Sequence, residues 1–260
     1  VARAIICNSG NANTCNADGI QVARRMCDIA AKATGVDAED VIVASTGVIG
    51  QPLDVTPVAA AADQLASELS SSGSANAAEA IMTTDTAAKE VAVRFVAGGR
   101  ECFIGGIAKG SGMIHPDMAT MLVFITSDCN ISADMLQKAL SADIKDSFNM
   151  VSVDGDTSTN DMVAVLANGM AGNDLVDSEG EDYNAFCQAL AAVTRTLCRM
   201  IAADGEGATK LLDCKVTGAA DTAIAKTVAK SVICSSLLKA AMFGADANWG
   251  RVLCAIGYSG

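Results

Sequence analysis

The sequence contains little proline, few aromatic residues and a single histidine, and each shortage excludes a class of protein. Proline accounts for 3 of the 260 residues, aromatic residues for 3% and charged residues for 18%, against a hydrophobic fraction of 51%. This composition excludes a disordered, collagenous or low-complexity chain. Charged residues or Gly interrupt every apolar run before the roughly 18 residues that a membrane helix needs. These absences predict a soluble globular protein.

Cysteine is abundant, with ten residues, but its spacing excludes the usual metal sites. No two cysteines form a C-x-x-C pair, and His115 alone cannot complete a Cys/His zinc set. Several cysteines, such as Cys198 and Cys254, lie in apolar runs where a free thiol behaves as a small hydrophobic group. We therefore expect reduced thiols and a cytoplasmic location. Strand-like residues at both ends lead us to expect a piece of a longer protein.

The charge balance is acidic, with 18 Lys and Arg residues against 30 Asp and Glu residues, a net charge of −12 and a pI near 4.4. Such a field repels nucleic-acid phosphates and anionic lipids. We expect small molecules or other proteins as partners, and neither nucleic acid nor a membrane.

The hydrophobic pattern alternates between helical and strand-like segments along the whole chain. The 3.6-residue period predicts helices at about 19–34, 54–69, 132–146, 181–203 and 219–241. Apolar β-branched runs predict strands at 2–7, 40–45, 90–96, 101–107, 121–128, 162–167, 210–218 and 251–258. Short Gly-bearing connections indicate antiparallel pairing of the central runs, and residues 70–78 are expected to form a surface loop. The sequence predicts a layered α/β fold with mixed or antiparallel sheets.

The segment from Gly105 to Leu122, GGIAKGSGMIHPDMATML, concentrates four glycines within eight residues. It is not a Walker A loop, because Lys109 is followed by Gly110 instead of Ser or Thr. No G-x-G-x-x-G opens a helix after a strand either, so a dinucleotide site lacks its fingerprint. Composition alone favours a glycine-rich connection between two strands.

A second polar segment, DGDTSTND at 154–161, begins like a calcium loop. The sixth position is Thr159 instead of Gly, and the twelfth is Val165 instead of Glu, so the pattern fails. Asx and Ser/Thr side chains that accept hydrogen bonds from their own backbone explain the same residues as a turn.

Nucleophilic catalysis is possible at Thr120. A Ser-His-Asp triad would depend on His115, and no G-x-S-x-G motif accompanies it. A Thr can instead use its own α-amine as base once the bond before it is cut. Ala119-Thr120, a small residue followed by an apolar strand, suits that arrangement without requiring it.

At this point the chain resembles a known family. The segment KGSGMIHPDMATML at 109–122 is similar to the self-cleaving motif of the ornithine acetyltransferases, the glutamate N-acetyltransferases of arginine biosynthesis. Further segments occur in family order and cover nearly the whole chain: NSGNAN at 8–13, STGVIG at 45–50, MTTDT at 82–86, DGDTSTND at 154–161, DGEGATK at 204–210 and FGADANWGR at 243–251.

The resemblance implies a two-lobed fold of the self-processing Thr-nucleophile type and a ping-pong reaction without a metal or an organic cofactor. Scission between Ala119 and Thr120 would yield an upstream chain, 1–119, and a downstream chain, 120–260, which remain together as α₂β₂. Thr120 would take acetyl from N-acetyl-L-ornithine and pass it to L-glutamate. Some members of the family also use acetyl-CoA as donor.

The resemblance also assigns residue roles. Thr46 and Gly47 match the oxyanion hole of the family, and its substrate-contacting positions match Thr83, Lys109, Thr120 and Glu206. Two features depart from the family: Asp117 stands where members more often have Asn, and family chains are longer at both ends.

Two other functions stay open from the residues. An N-terminal-nucleophile amidase or aminopeptidase would use the same groups, with water as acceptor. An uncleaved homologue without turnover would have only a structural role.

Overall fold

The computed structural model describes residues 1–115 and 121–260, and it consists of two β-sheets between helical layers. The six strands are β1 (Ala4–Asn8), β2 (Val41–Ser45), β3 (Lys89–Ala97), β4 (Arg100–Lys109), β5 (Leu122–Ser127) and β6 (Met162–Ala167). The eight α-helices in this described part are α1 (Gly19–Thr34), α2 (Thr56–Ser67), α3 (Ser74–Ala80), α4 (Ala133–Asp143), α5 (Glu181–Ala203), α6 (Thr222–Cys234), α7 (Ser236–Phe243) and α8 (Trp249–Gly257). Short 3₁₀ turns occupy Ala38–Asp40, Ile144–Asp146 and Phe148–Met150.

The smaller sheet contains two parallel strands, β1 and β2, paired from Ala4 with Val41 to Asn8 with Ser45. Helix α1 connects them and packs on the sheet, as a parallel pair requires. It buries Val22, Met26 and Ala30, which recur every four residues and therefore form one stripe.

The larger sheet has the order β3-β4-β5-β6. Strands β3, β4 and β5 are antiparallel, which confirms the expectation from the short connections, and the two-residue turn Gly98–Gly99 joins β3 to β4. Strand β6 runs parallel to β5, because α4 lies in the connection between them.

Alternation along β5 shows how the layers stack. Val123 and Ile125 pack with α5 in the main core, whereas Leu122 and Phe124 pack towards the two-stranded sheet. Adjacent residues of a strand point to opposite faces, so the larger sheet lies between α5 and the smaller sheet. The layers are α1, the two sheets, and α5 with α4. This architecture agrees with the predicted layered α/β fold with mixed sheets.

The sheet also unites the two halves of the sequence. Strand β4 precedes the expected cleavage position, β5 follows it, and they pair from Ile104 with Ser127 to Lys109 with Leu122. The division into 1–119 and 120–260 therefore runs between neighbouring strands of one sheet, and it stays a prediction.

Three local predictions are wrong. Residues 70–78 do not form a loop throughout, because α3 occupies Ser74–Ala80. The run 210–218 pairs with no strand of the described chain; its Leu212 and Cys214 pack instead on the C-terminal helices. The run 251–258 lies mostly in α8, where Val252 and Ala255 meet the same cluster.

One predicted helix is divided in two. The span 219–241 contains α6 and α7, separated at Ser235, whose extended backbone ends α6 and whose hydroxyl accepts a hydrogen bond from Leu238 N. A serine that caps a helix start in this way favours a new helix over continuation of the old one. Within the described residues, no helix is both long and apolar enough to cross a membrane.

Candidate active site

Lys109, the last residue of β4, is a buried cation at the end of the larger sheet. Its side chain is nearly inaccessible, at 3% exposure, and its Nζ donates a hydrogen bond of 2.9 Å to Thr83 Oγ1. Burial lowers the pKa of Lys109, and the nearby carboxylates of Asp85, Asp161 and Glu206 oppose that effect. A buried ammonium surrounded by acidic groups can attract a substrate carboxylate more strongly than a surface lysine can.

A fully buried ion network fixes the segment around Lys109. Lys89, at 1% exposure, donates from Nζ to Asp85 Oδ1 and to Asp204 Oδ2, both at 2.6 Å. Asp85 Oδ1 also accepts from Gly110 N at 2.7 Å. Burial opposes ionisation of Asp85, but the hydrogen bonds from Gly110, Lys89 and Thr83 together hold its pKa below the ordinary value. The network connects the start of β3 with the backbone next to Lys109.

Asp204 extends this network to the loop that contains Glu206. Burial again opposes ionisation, but hydrogen bonds from Lys89 and Thr86 hold the pKa of Asp204 below its ordinary value. Glu206 N donates to Ser111 O at 2.8 Å, and the Ser111 hydroxyl lies 2.6 Å from Thr84 Oγ1. Glu206 is thereby held beside the segment that follows Lys109.

Gly112 is the point of closest approach between these two segments. A Cβ atom added at Gly112 would lie 2.5 Å from the Glu206 carboxyl carbon, well inside van der Waals contact. The absence of a side chain at Gly112 is therefore what lets the carboxylate of Glu206 occupy its position.

The substitution Gly112→Ala should move the Glu206 carboxylate without unfolding the chain, because the end of an exposed side chain can turn away. We expect the KM for an amino-acid substrate to rise about tenfold, as the loss of one charged contact implies. Steady-state kinetics and circular dichroism would measure both effects. Gly180→Ala is the control, since a Cβ there meets no atom within 4 Å. An unchanged KM in Gly112→Ala would contradict a substrate role for Glu206.

Thr46 and Gly47 follow β2, at the end of the smaller sheet. Thr46 N donates to Asn8 O at 3.0 Å, whereas Thr46 Oγ1 is buried and has no hydrogen-bond partner among the described residues. Gly47 lies against the backbone of Gly10, where an added Cβ would be 2.5 Å from a carbonyl carbon. A buried hydroxyl without a partner costs free energy, and such groups often have a functional reason.

The DGDTSTND segment, which we call the 154–161 loop, holds the backbone on both sides of residues 116–120. Asp154 accepts hydrogen bonds from Met113 N at 2.6 Å and Ile114 N at 3.1 Å, and Thr157 Oγ1 donates to His115 O at 2.9 Å. On the other side, Asp161 Oδ1 accepts from Met121 N at 2.7 Å.

The turn interpretation of this loop is confirmed. Asp154 Oδ1 accepts from Asp156 N, and Ser158 Oγ accepts from Asn160 N, as Asx and Ser/Thr turns require. The carboxylate oxygens of Asp154 are directed at backbone N–H groups. Within residues 1–115 and 121–260, no cluster of three or more His, Cys, Asp or Glu side chains could hold a metal ion.

Asn160 connects this loop to the smaller sheet. Its Nδ2 donates to Ser45 O at 2.9 Å and to Ala12 O at 2.6 Å. Because Ser45 and Thr46 are adjacent, and Asn160 and Asp161 are adjacent, the Thr46 hydroxyl and the Asp161 carboxyl belong to one connected region. The expected oxyanion residues and the end of β4 thus border the same five-residue segment.

The structure therefore brings together most of the residues expected from the sequence. Thr83, Lys109 and Glu206 form one group, and Thr46 with Gly47 is attached to it through the 154–161 loop. Ala119 and Thr120, the expected cleavage site and nucleophile, lie outside the described residues, as does Asp117.

A cavity of about 580 Å³ adjoins this group. Glu206, Lys210, Lys239 and Phe243 contribute to its wall, together with residues of α5 and α6. Of the expected site residues, Glu206 is the one that lines it. The volume is in the range of small-molecule sites.

Comparison with known proteins decides the family. The profile of the ArgJ family matches residues 1–260. The chain belongs to the ArgJ family. It is 54% identical over 257 residues to arginine biosynthesis bifunctional protein ArgJ 1 of Clostridium acetobutylicum, covering 98% of this chain and 63% of that protein. It is also 54% identical over 259 residues to the ArgJ protein of Symbiobacterium thermophilum, covering 99% of this chain and 64% of that protein.

A solved ArgJ structure supports the fold. The crystal structure of the arginine biosynthesis bifunctional protein ArgJ from Bacillus halodurans aligns with a TM-score of 0.51 and 52% identity, over 54% of this chain and 64% of that chain. The ArgJ relatives are thus longer than this chain, which spans slightly less than two thirds of their length.

Sequence reasoning missed two parts of this ArgJ site. The first is the Lys89 network, whose signal was the opposite charges of Asp85 and Lys89 four residues apart. The second is the 154–161 loop, which resembled family sequence but whose residues received no role. Neither could be placed from the sequence, because their partners lie far along the chain, such as Asp204 for Lys89.

Proposed function

We propose that the ArgJ chain is part of a self-processing acetyltransferase of arginine biosynthesis that moves acetyl from N-acetyl-L-ornithine to L-glutamate. The observation that carries the proposal is the pairing of two groups around residues 116–120: the buried Lys109 with Thr83, and the unpartnered hydroxyl of Thr46. The first suits an amino-acid carboxylate, and the second suits an oxygen that becomes negatively charged. The printed name of the relatives, an arginine biosynthesis bifunctional protein, supports the pathway.

Chain scission is the first step of the proposal. The Thr120 hydroxyl attacks the Ala119 carbonyl carbon, the Ala119–Thr120 amide bond breaks, and the nitrogen of Thr120 takes a proton and becomes an amine. Water then hydrolyses the resulting ester, which frees the carboxylate of Ala119 and the hydroxyl of Thr120. The chain is thereby divided into 1–119 and 120–260, which the pairing of β4 with β5 would hold together.

Acetyl transfer uses the same hydroxyl. Thr120 Oγ attacks the acetyl carbon of N-acetyl-L-ornithine, ornithine leaves with a proton, and L-glutamate later removes the acetyl group from Thr120. The Thr46 hydroxyl and the Gly47 backbone N–H stabilise the charge on the acetyl oxygen. Lys109 and Thr83 bind a substrate carboxylate, and Glu206 binds a substrate amine or transfers its proton.

The wider assignments belong to the same proposal. The complete protein would assemble as α₂β₂, and acetyl-CoA would be a second acetyl donor, in keeping with the word bifunctional in the names of its relatives. None of the ten cysteines, all of which lie in the described part of the chain, is joined in a disulfide, which suits the reducing cytoplasm.

A single-turnover experiment on the complete protein tests the acceptor. The enzyme is acetylated with N-acetyl-L-ornithine, ornithine is removed, and the acetyl-enzyme is mixed with L-glutamate or with buffer alone. Loss of acetyl from Thr120 that is faster with glutamate, with N-acetylglutamate as product, supports transfer. Equal loss in buffer would instead identify the amidase reaction, and no acetylation of a folded, uncut chain would identify a homologue without turnover.

The substitution Thr46→Val tests the oxyanion role with a distinctive pair of results. Acetylation should slow by about 10²- to 10³-fold, because one donor to the developing charge is lost. The free energy of unfolding should stay the same or rise, because valine fills the same space and removes a buried hydroxyl without a partner. Thr46→Ser, which keeps the hydroxyl, is the control. A normal acetylation rate in Thr46→Val would rule out the oxyanion role.

A further inference from the structure

Asp161 occupies a position that the family resemblance did not assign and that the reaction outlined above does not use. One carboxylate oxygen, Oδ1, accepts a hydrogen bond of 2.7 Å from Met121 N. The other, Oδ2, is buried and has no hydrogen-bond partner among the described residues. The side chain is therefore anchored by one oxygen, and its second oxygen is free for another group.

The anchor places this free oxygen beside the proposed nucleophile. Met121 follows Thr120 directly, so the hydrogen bond is made to the nitrogen of the peptide bond that joins the two residues. From covalent geometry alone, the nitrogen of Thr120 lies within about 3.7 Å of Met121 N. An amino group at Thr120 would consequently be within reach of the Asp161 carboxyl.

Charge and burial favour a cationic occupant. Burial raises the pKa of Asp161 to about 7, while the hydrogen bond from Met121 N and the positive charge of Lys109 act in the opposite direction. Lys109 is the charged side chain that acts on Asp161, whereas Asp85 and Glu206 act on Lys109. Lys109 donates to Thr83, and no ion pair between Lys109 and Asp161 is formed in the described part of the chain. A buried carboxylate with a free oxygen gains most from a hydrogen-bonded cation.

We propose that Asp161 is a positioning residue that receives, on Oδ2, the amino group liberated on Thr120 by chain scission. This inference rests on the proposed function. In each acetylation the amine removes the proton of the Thr120 hydroxyl and becomes an ammonium, and the Asp161 carboxylate stabilises that charge. When ornithine leaves, the proton passes from the ammonium to the ornithine nitrogen, so the amine is neutral again for the next step.

The proposal predicts how the acetylation rate depends on pH. The active form has both Asp161 and the Thr120 amine deprotonated, so two protons must be lost as pH rises. A plot of log kcat/KM against pH should therefore approach a slope of two on its acid side. N-acetyl-L-ornithine is a suitable probe, because its carboxyl and side-chain amine do not titrate between about pH 5 and 9.

The substitution Asp161→Asn separates this role from a structural one. Asparagine keeps an oxygen that can accept from Met121 N but removes the negative charge. We expect kcat for acetylation to fall on the order of 10²-fold at about pH 8, and the acid slope to become one. If Asp161 only fixes the backbone, the variant retains the wild-type rate and slope.

Chain scission, followed by mass spectrometry of the complete protein, distinguishes the two levels of failure. A wild-type protein that forms no terminus at Thr120 contradicts the proposed function itself. A wild type that is cut and whose acid slope is one, or an Asp161→Asn variant that is cut and behaves as the wild type, overturns the role of Asp161 alone. If Asp161→Asn remains uncut, Asp161→Glu replaces it: retention of the slope of two supports the proposal, and a slope of one contradicts it.

Discussion

Replacing Thr120 by alanine should keep the complete chain whole and abolish acetyl transfer, because both events depend on the same hydroxyl. The expected loss of transfer is on the order of 10⁶-fold, the scale seen when a covalent nucleophile is removed. A denaturing gel should show one band in place of two, and mass spectrometry should find no terminus that begins Thr-Met-Leu-Val. Acetylation with N-acetyl-L-ornithine should leave no mass added to the variant.

Two further variants make this prediction specific. Thr120→Ser retains a hydroxyl and should still be cut and acetylated, at a reduced rate. Thr126→Ala removes an exposed hydroxyl from the same strand, β5, and should behave as the wild type. Two fragments from Thr120→Ala would show that another residue performs the cleavage.

Replacing Lys89 by methionine should destabilise the fold by about 3–5 kcal/mol, because two buried carboxylates, Asp85 and Asp204, lose their shared cation. Activity should fall with stability, since Asp85 also holds the backbone N–H of Gly110 beside Lys109. Urea unfolding followed by circular dichroism measures the change in free energy.

The pH dependence supplies the control for this second prediction. The pKa values of Asp85 and Asp204 are lowered in the folded protein, so their contribution to stability is present above the unfolded pKa and is lost as pH falls through the folded values. In Lys89→Met the sign should reverse, because protonation relieves the unpaired charges. Lys138→Met, which breaks an exposed pair with Glu179, should cost no more than about 1 kcal/mol. A similarly small cost for Lys89→Met would contradict the structural role of the network.

The sequence was most informative where local pattern and packing agree. Helix α5 was expected at 181–203 and has those bounds, because its apolar stripe and acidic first turn specify a helix before any partner is known. The hairpin of β3 and β4 is of the same kind, since adjacent strands and a Gly-Gly turn need no distant information.

Prediction failed where a distant partner determines the local conformation. The run 251–258 has apolar residues that fit a strand or a helix equally well, and it became α8 because Val252 and Ala255 pack against α6 instead of pairing with a strand. The run 210–218 has no neighbouring strand in the described chain and packs on the same helices. Short apolar runs are ambiguous for this reason.

The sequence alone determined the ArgJ family resemblance, the order of the motifs and the chemical types of the site residues. Those properties depend on which residues follow one another. The tertiary structure alone decided that Lys89 joins Asp85 to Asp204, that Asn160 reaches Ser45, and that Asp161 accepts a hydrogen bond from the residue after Thr120. These contacts join residues separated by up to 115 positions, and only the stacking of the two sheets brings such residues within hydrogen-bond distance.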